Sequence, residues 1–383
     1  MAGTLCQLIN ALPALSHGIA IFSRNRFRGG TMLTTRHQPK TGTLVRARAP
    51  LRLGLAGGGT DVSPYCDLHT GAILNVTISK YSYATLEMRG DGKIVFEALD
   101  RDETTTYDTA PHLVPDGKLD LHKAVYNRIV TDYLGGAPLS LRLRTSSDAV
   151  AGSGLGSSST LVVTMVQAFV EAFALPLGEY DVAHLAYIIE RKDLGLKGGK
   201  QDQYAATFGG FNFMEFYAED RVIVNPLRVK DWIVSELESS LVLYFTGVSR
   251  ESANIIAEQV SNVETGQQAS IDAMHALRRE AVAMKEHLLR GDVPALGRAL
   301  QAGWEAKKRS AKSISNSNID AVDQAAREAG AFAGKMSGAG GGGFMFFLAP
   351  PECRQKVIKA LERFGGTASA CYFTSEGAKA WRA

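Results

Sequence analysis

The sequence of 383 residues has few of the features that define several large protein classes. Its four cysteines (Cys6, Cys66, Cys353 and Cys371) form no CxxC pair, which argues against a metal finger or disulfide scaffold and favours a reduced, cytoplasmic chain. A net charge of +3 is too small to indicate nucleic acid or an anionic membrane as partner, and no apolar run has the length of a membrane-spanning helix. The remainder is an ordinary globular composition, 45% apolar and 21% charged, in a chain long enough to predict two domains.

Residues 1–43 differ from the rest of the chain. The segment 5–22 is mildly apolar, but no basic residue precedes it and no small-residue cleavage site follows, so a signal peptide is not indicated. The segment 23–40 is rich in Arg, Gly and Thr and predicts disorder. We expect the natural start near Met32 and residues 1–43 to be an extension outside the fold, which the intact mass of the protein from its native host would test.

A glycine- and serine-rich loop at 152–160 (GSGLGSSST) is the central motif of the sequence. It follows an alternating, strand-like run at 139–144 and precedes an apolar helical stretch at 161–174. Glycines permit positive φ angles and leave space for a ligand, and the N–H groups of the following helix turn attract anions. No Gly-Lys-Ser/Thr follows, which excludes a Walker P-loop, and the acidic residue of a dinucleotide fold is missing. The loop therefore predicts a phosphate site, the alternative being an ordinary glycine turn with a serine cap.

Two further segments carry polar side chains at the ends of predicted elements. The strand 51–55 places Arg52 on its polar side and ends in a glycine turn that presents Asp61, a candidate for binding hydroxyl groups or, alternatively, a turn residue bonded to its own backbone. The helical segment 182–192 leaves Glu190 near its end. Asp202 follows a loop with Lys197 and Lys200, whose cations favour an ionised general base, although Asp202 could also cap the next helix.

The last third of the chain ends in a second glycine cluster. Residues 335–343 run directly into the apolar strand 344–348, so another piece of backbone or a ligand must come very close, the alternative being a flexible linker. Lys307 stands at a basic helix end, which ordinarily only complements the helix dipole. Other predicted elements are strands at 72–79, 81–88, 93–97, 240–245 and 368–373, and helices at 271–290, 293–308, 319–330 and 352–364.

With these blocks in order, the chain resembles the GHMP superfamily of small-molecule kinases (galactokinase, homoserine kinase, mevalonate kinase and phosphomevalonate kinase). Three motifs carry the resemblance: 49–52 (APLR), 152–160 and 335–344. The segments 57–61, 199–204 and 246–250 are similar to those of sugar kinases acting on D-glycero-D-manno-heptose 7-phosphate, and the fucokinase-like branch shares much of this pattern. The implied fold is α+β with two domains, at 44–215 and 216–383, and an active site in the cleft between them.

The resemblance also implies residue roles. Asp202 matches the base that accepts the proton of the anomeric hydroxyl, Arg52 matches a cation that supports the base or the transferring group, and Ser158 with Glu190 matches the Mg²⁺ ligands. The nucleotide phosphates would be wrapped by Gly152, Ser153, Gly154, Leu155, Gly156, Ser157, Ser158 and Ser159. The expected substrate contacts are Gly58, Gly59, Thr60, Asp61, Lys200, Gln201, Arg250, Gly338, Gly340 and Gly341.

The implied activity is ATP- and Mg²⁺-dependent phosphorylation of the anomeric hydroxyl of D-glycero-D-manno-heptose 7-phosphate to the 1,7-bisphosphate, for a nucleotide-activated heptose of capsule or lipopolysaccharide. The alternatives are a kinase for an unphosphorylated sugar such as fucose, or a non-catalytic regulator. The expected partners are a sugar phosphate and ATP, without nucleic acid or membrane. The sequence leaves open the product anomer, ATP against GTP, and whether the chain forms a homodimer. It also leaves open which cation binds the 7-phosphate; the candidates are Arg250, Lys197, Lys200 and Lys307.

Overall fold

The computed structural model describes residues 39–247 and 252–383, in which twelve strands form two sheets. The strands are β1 (Leu44–Ala56), β2 (Gly71–Met88), β3 (Lys93–Ala98), β4 (Glu103–Asp108), β5 (Leu141–Ser147), β6 (Phe211–Phe216), β7 (Val222–Pro226), β8 (Leu241–Phe245), β9 (Ala333–Met336), β10 (Phe344–Leu348), β11 (Thr367–Ser369) and β12 (Lys379–Arg382). The helices are α1 (Tyr65–His69), α2 (Asp120–Tyr133), α3 (Ser157–Phe173), α4 (Glu179–Ile188), α5 (Gln201–Phe208), α6 (Asp231–Ser240), α7 (Ser252–Glu264), α8 (Gln268–Arg290), α9 (Val293–Ser310), α10 (Ser317–Glu328) and α11 (Arg354–Glu362). A π-helical turn, Ile189–Asp193, follows α4, and a 3₁₀ turn, Lys312–Ile314, follows α9. Within the described ranges no helix is long and apolar enough to cross a bilayer.

The larger sheet has the strand order β12-β1-β2-β5-β3-β4, with β6 and β7 joined to the free part of β2. Its pairings are antiparallel except that of β3 with β5, whose connection contains β4 and α2. The helices α2, α3 and α4 bury their apolar faces against this sheet in one hydrophobic cluster. This packing fixes the start of α3, where the glycine-rich loop lies.

Two strands of the larger sheet run further than the sequence predicts. The predicted strands 72–79 and 81–88 are one strand, β2, because its first half pairs with β6 and its second half with β5 while β1 follows it throughout. Strand β1 continues through Pro50, where the register with β2 shifts before Arg52. Proline has no N–H to give to the ladder, so a bulge at this point is expected. The bulge leaves the Arg52 N–H free to bond the Leu155 carbonyl at 3.1 Å, which ties β1 to the glycine-rich loop.

The smaller sheet, in the order β11-β8-β10-β9, carries the second glycine cluster between β9 and β10. The predicted closing strand 368–373 is only the three-residue β11, and the chain then returns to the larger sheet as β12, beside β1. The expected boundary at residue 215 falls within β6, which pairs with β7. We therefore propose a boundary after β7, with the C-terminal strand belonging to the first domain.

Candidate active site

The glycine-rich loop leads straight into helix α3. The helix begins at Ser157, four residues before the predicted start, so the serines form its first turn. Gly152, Gly154 and Gly156 all have φ between +74° and +87°, a region that favours glycine. No side chain of the described residues caps the helix, which leaves the N–H groups of its first turn available to an anion.

The two glycine clusters pack against each other through their backbones. A Cβ on Gly154 would lie 2.3 Å from the Ser337 carbonyl oxygen, and one on Gly338 would lie 2.8 Å from the Gly154 Cα. The Phe344 N–H also donates to the Ser153 carbonyl at 2.8 Å. These contacts explain the glycine run before β10, since the backbone of the other loop takes the space of the side chains. The run is therefore a packing interface and not a flexible linker.

Arg52 and Asp202 form an ion pair in the cleft beside this interface. Arg52 Nε donates to Asp202 Oδ1 at 2.7 Å, and Arg52 Nη1 donates to the Gly154 carbonyl at 2.6 Å. Arg52 is 3% exposed, whereas the Asp202 side chain is 19% exposed and faces the cleft. The partner of Asp202 is thus Arg52 and not Lys197 or Lys200 as the sequence suggested. Asp202 is the second residue of α5 and makes no capping bond. Arg52 therefore holds its carboxylate in place, and the carboxylate remains accessible from the cleft.

Ser158 and Glu190 meet at the other side of the loop. The Ser158 hydroxyl donates to Glu190 Oε1 at 3.0 Å, and Gln203 Nε2 donates to Oε2 at 2.5 Å. Glu190 is 1% exposed and lies in the π-helical turn after α4, a local irregularity that often accompanies functional sites. Arg191, 3.7 Å from Oε1, supplies a compensating charge. The orienting role of Gln203, one residue after Asp202, was not apparent from the sequence.

Asp61 and Thr60 have different environments although they are neighbours. Asp61 Oδ2 accepts from the N–H groups of Lys200 and Gln201 at 2.8 and 3.0 Å, so the carboxylate caps the start of α5 from another loop while lining the cleft. The Thr60 hydroxyl is fully buried and bonds the Gly57 and Ala72 carbonyls. It accepts from the Ala72 N–H as well. The structure therefore does not bring Thr60 to the cleft, and its hydroxyl stabilises the turn that presents Asp61.

The lysines also depart from expectation. Lys200 is buried outside the cleft, 2.9 Å from Asp220. Burial opposes the charge on Lys200, but its hydrogen bond to Asp220 prevails and raises its pKa. Lys307, for which the sequence left open a role at the helix dipole or in binding the 7-phosphate, is 3% exposed in the cleft and donates to the Gly338 carbonyl. Burial, followed by the charge of Arg52, lowers the pKa of Lys307 to about 8.

The second glycine cluster supplies a further buried cation that the sequence did not reveal. Lys335 Nζ donates to the Gly54 carbonyl at 2.6 Å and so links β9 of the smaller sheet to β1 of the larger one. Burial and the nearby Lys307 lower the pKa of Lys335 well below its usual value. Gly340 and Gly341 pack against Ile314, whose carbonyl accepts from the Gly341 N–H at 2.8 Å. Gly340 and Gly341 thus support the loop. Of the three glycines in this cluster that were predicted to contact substrate, only Gly338 lines the cleft.

These elements enclose a cleft of about 480 Å³ between the two sheets. Arg250, predicted to bind substrate, lies outside the described residues. In the described ranges no cluster of three or more His, Cys, Asp or Glu side chains could hold a metal on its own. Ser153 and Leu155, predicted to contact the nucleotide, are fully buried and do not line the cleft. The predicted residues that line it are Arg52, Gly58, Gly59, Asp61, Gly152, Gly154, Gly156, Ser157, Ser158, Ser159, Glu190, Lys197, Gln201, Asp202, Lys307 and Gly338.

Comparisons with known proteins identify the family of the chain. Models of the GHMP kinases N terminal domain and the GHMP kinases C terminal match residues 120–210 and 284–367. The chain is 52% identical to D-glycero-alpha-D-manno-heptose 7-phosphate kinase of Campylobacter jejuni, over 88% of this chain and 99% of the relative. It is 25% identical to L-fucokinase/L-fucose-1-P guanylyltransferase of Bacteroides fragilis, over 83% of this chain but only 36% of that protein.

A solved structure shows the same fold. The crystal structure of a D-glycero-D-manno-heptose 1-phosphate kinase from Bacteroides thetaiotaomicron has a TM-score of 0.76 and 47% identity, covering 88% of this chain and 99% of that one. Identity of about half over nearly the whole length of a relative establishes the family, and the relatives are kinases. The chain is a two-domain α+β sugar kinase that belongs to the GHMP kinase family.

Proposed function

We propose that this kinase transfers the γ-phosphoryl group of ATP to the anomeric hydroxyl of D-glycero-D-manno-heptose 7-phosphate. The observation that supports it most is the convergence of the Arg52–Asp202 pair and the Ser158–Glu190 pair on one cleft at the glycine-rich loop. We infer the substrate, heptose 7-phosphate, from the name of the relative that is 52% identical. That name also specifies the α anomer. The product is the 1,7-bisphosphate, which would supply a nucleotide-activated heptose for capsule or lipopolysaccharide, and we place the reaction in the cytoplasm, where ATP is available.

Asp202 is the residue we propose as the general base. It accepts the proton of the anomeric hydroxyl as the sugar oxygen bonds to the γ-phosphorus and the bond from that phosphorus to the β-phosphate oxygen breaks, releasing ADP. The Arg52 hydrogen bond fixes the carboxylate so that its free face points into the cleft. The same guanidinium, held by the Gly154 carbonyl, places a positive charge where negative charge spreads over the transferring group.

The donor set fits a nucleotide with Mg²⁺. The open N–H groups at the start of α3 suit phosphate oxygens, and glycine at 154 lets two backbones form this surface without a side chain between them. Ser158 and Glu190 present a hydroxyl and a carboxylate, the hard oxygen donors that Mg²⁺ prefers, so these two residues would hold the ion together with the nucleotide phosphates. When bound, the ion neutralises charge on the phosphates. Gln203 orients Glu190 for that purpose.

Phosphorylation of an unphosphorylated sugar is the second candidate. The observation in its favour is the match to the fucokinase part of the Bacteroides fragilis protein over most of this chain. The catalytic steps would be the same, since they involve only the anomeric hydroxyl and the nucleotide. The two candidates differ in the sugar that the cleft must bind, and only the heptose candidate carries a phosphate at the end opposite the anomeric carbon.

The experiment is ADP release with Mg-ATP against heptose 7-phosphate, sedoheptulose 7-phosphate, fucose, galactose and mannose. The proposal expects kcat/KM for heptose 7-phosphate to exceed that for every free sugar by at least about 100-fold, since a site built for a charged group discriminates strongly against its absence. Comparable turnover of fucose would replace the proposed substrate and leave the mechanism standing. Absence of turnover on every sugar, with ATP bound, would refute the proposal.

A further inference from the structure

One buried cation in the cleft has no part in the chemistry described above. Lys307, in the last turn of α9, is 3% exposed, and among the described residues no carboxylate lies within ion-pair distance of its ammonium. In the ranges that the structure describes, its one hydrogen bond goes to the Gly338 carbonyl, although an ammonium has three N–H donors. An unpaired buried charge is costly, so a ligand that completes the pairing is the natural explanation.

The other cations that line the cleft in the described ranges are accounted for. Arg52 is paired with Asp202, and Arg191 lies beside Glu190 and donates to the Gly199 carbonyl. Lys197 is exposed to solvent, where an unpaired charge costs little. Lys307 alone of these is both buried and without a carboxylate.

A small space next to Lys307 is bounded by hydrogen-bond donors. A Cβ on Gly58 would lie 3.6 Å from Lys307 Nζ and 4.0 Å from Gln201 Nε2, and would meet no other atom within 4 Å apart from its chain neighbours. Gly58 does not have a positive φ, so its backbone does not demand glycine. Gln201 is 8% exposed, and its amide makes no side-chain hydrogen bond in the described part of the chain. We name this space, formed by Gly58, Gln201 and Lys307, the Gly58 cradle.

We infer that the Gly58 cradle binds the phosphate that the sugar already carries, with Lys307 as the residue that determines specificity for a phosphorylated acceptor. This inference rests on the proposed function. The nucleotide phosphates have their own partners at α3 and Ser158, whereas Gly58 belongs to the turn that presents Asp61 to the sugar side of the cleft. Arg52 adds positive charge near Lys307, while Asp61 and Asp202 act on its ammonium from beyond ion-pair distance. An oxygen-rich dianion is the ligand class that completes this set.

The test measures kcat and KM for heptose 7-phosphate and for unphosphorylated D-glycero-D-manno-heptose, each with saturating Mg-ATP. Lys307→Met keeps the length of the side chain and removes its charge. The expected result is a KM for the phosphorylated sugar raised about 10- to 100-fold, the range that a hydrogen bond to a charged group supplies, and a KM for the free sugar changed less than about threefold. Gly58→Ala fills the cradle and should act in the same direction. Lys308→Met changes the next residue of the same helix, which is 27% exposed, is paired with Glu305 and does not line the cleft, and it should change neither constant.

The outcomes separate the inference from the proposed function. An equal loss on both sugars would assign Lys307 to the transferring group or to folding and would overturn the inference, with turnover of heptose 7-phosphate by the wild type still supporting the function. A wild-type enzyme that uses only unphosphorylated sugars would overturn the proposed function first. If Lys307→Met does not fold, as judged by circular dichroism, the same comparison is made with Lys307→Gln and Gly58→Ala.

Discussion

Replacing Asp202 by Asn tests the chemistry of the cleft with little change in shape. Asn keeps one oxygen to accept from Arg52 but cannot take a proton, so the Arg52 contact to the Gly154 carbonyl should survive. We expect kcat to fall about 10²- to 10⁴-fold, the usual contribution of a general base, which corresponds to about 3–5 kcal/mol of activation free energy. The KM for ATP should change less than threefold, because Asp202 does not belong to the nucleotide loop.

Loss of the ion pair will also reduce stability, and this effect must be separated from catalysis. Weakening a hydrogen bond between charged groups costs about 1–3 kcal/mol of the free energy of unfolding. Asp220→Asn is the matched control: Asp220 is also partly buried and paired with a buried cation, Lys200, but it lies outside the cleft. Both variants should lose similar stability in urea, and only Asp202→Asn should lose kcat. Equal kcat in the two variants would refute the assignment of Asp202.

Three further predictions follow from the same geometry. Glu190→Gln should raise the Mg²⁺ concentration for half-maximal activity at least about tenfold, since it removes the only carboxylate of the described residues that bonds Ser158; an unchanged Mg²⁺ titration would contradict the metal site. Gly154→Ala should raise the KM for ATP and lower the melting temperature, because a methyl group would lie 2.3 Å from the Ser337 carbonyl oxygen at a φ of +87°; wild-type behaviour of this variant would show that the two loops do not pack as described. Lys307 binds an anion only when it is protonated, and its pKa is about 8. The KM for heptose 7-phosphate should therefore rise as the pH increases through 8, about tenfold per pH unit above it, because the substrate phosphate stays dianionic over this range. A KM that is flat from about pH 7 to 9.5 would exclude this titration.

The sequence predicted the parts of the site that depend on short-range patterns. The loop 152–160 is flanked by a strand and a helix, and the order of the three motifs was enough to indicate the family. Local patterns also predicted most strands and helices, with errors at their ends. These features depend on glycine conformation, alternation and helix periodicity, all of which a single segment carries.

Other features depend on contacts between distant segments, and the sequence could not supply them. Thr60 stands beside Asp61 in the same turn, yet its hydroxyl is consumed by backbone groups. Lys200 follows Lys197 by three residues, but the Lys200 ammonium is paired with Asp220 outside the cleft. For Lys307 the sequence could not decide between the helix dipole and the 7-phosphate, because its burial in the cleft depends on the packing of α9 against β9.

The proposed function requires the cleft to direct the phosphoryl group to the anomeric oxygen of an already phosphorylated heptose. The most direct test is a ¹H–³¹P correlation spectrum of the product formed from heptose 7-phosphate and Mg-ATP. We expect one new phosphorus signal coupled to the anomeric proton, with the original phosphate still coupled to the protons of carbon 7. A new signal coupled to any other sugar proton, or ADP release without a new phosphate ester, would contradict it.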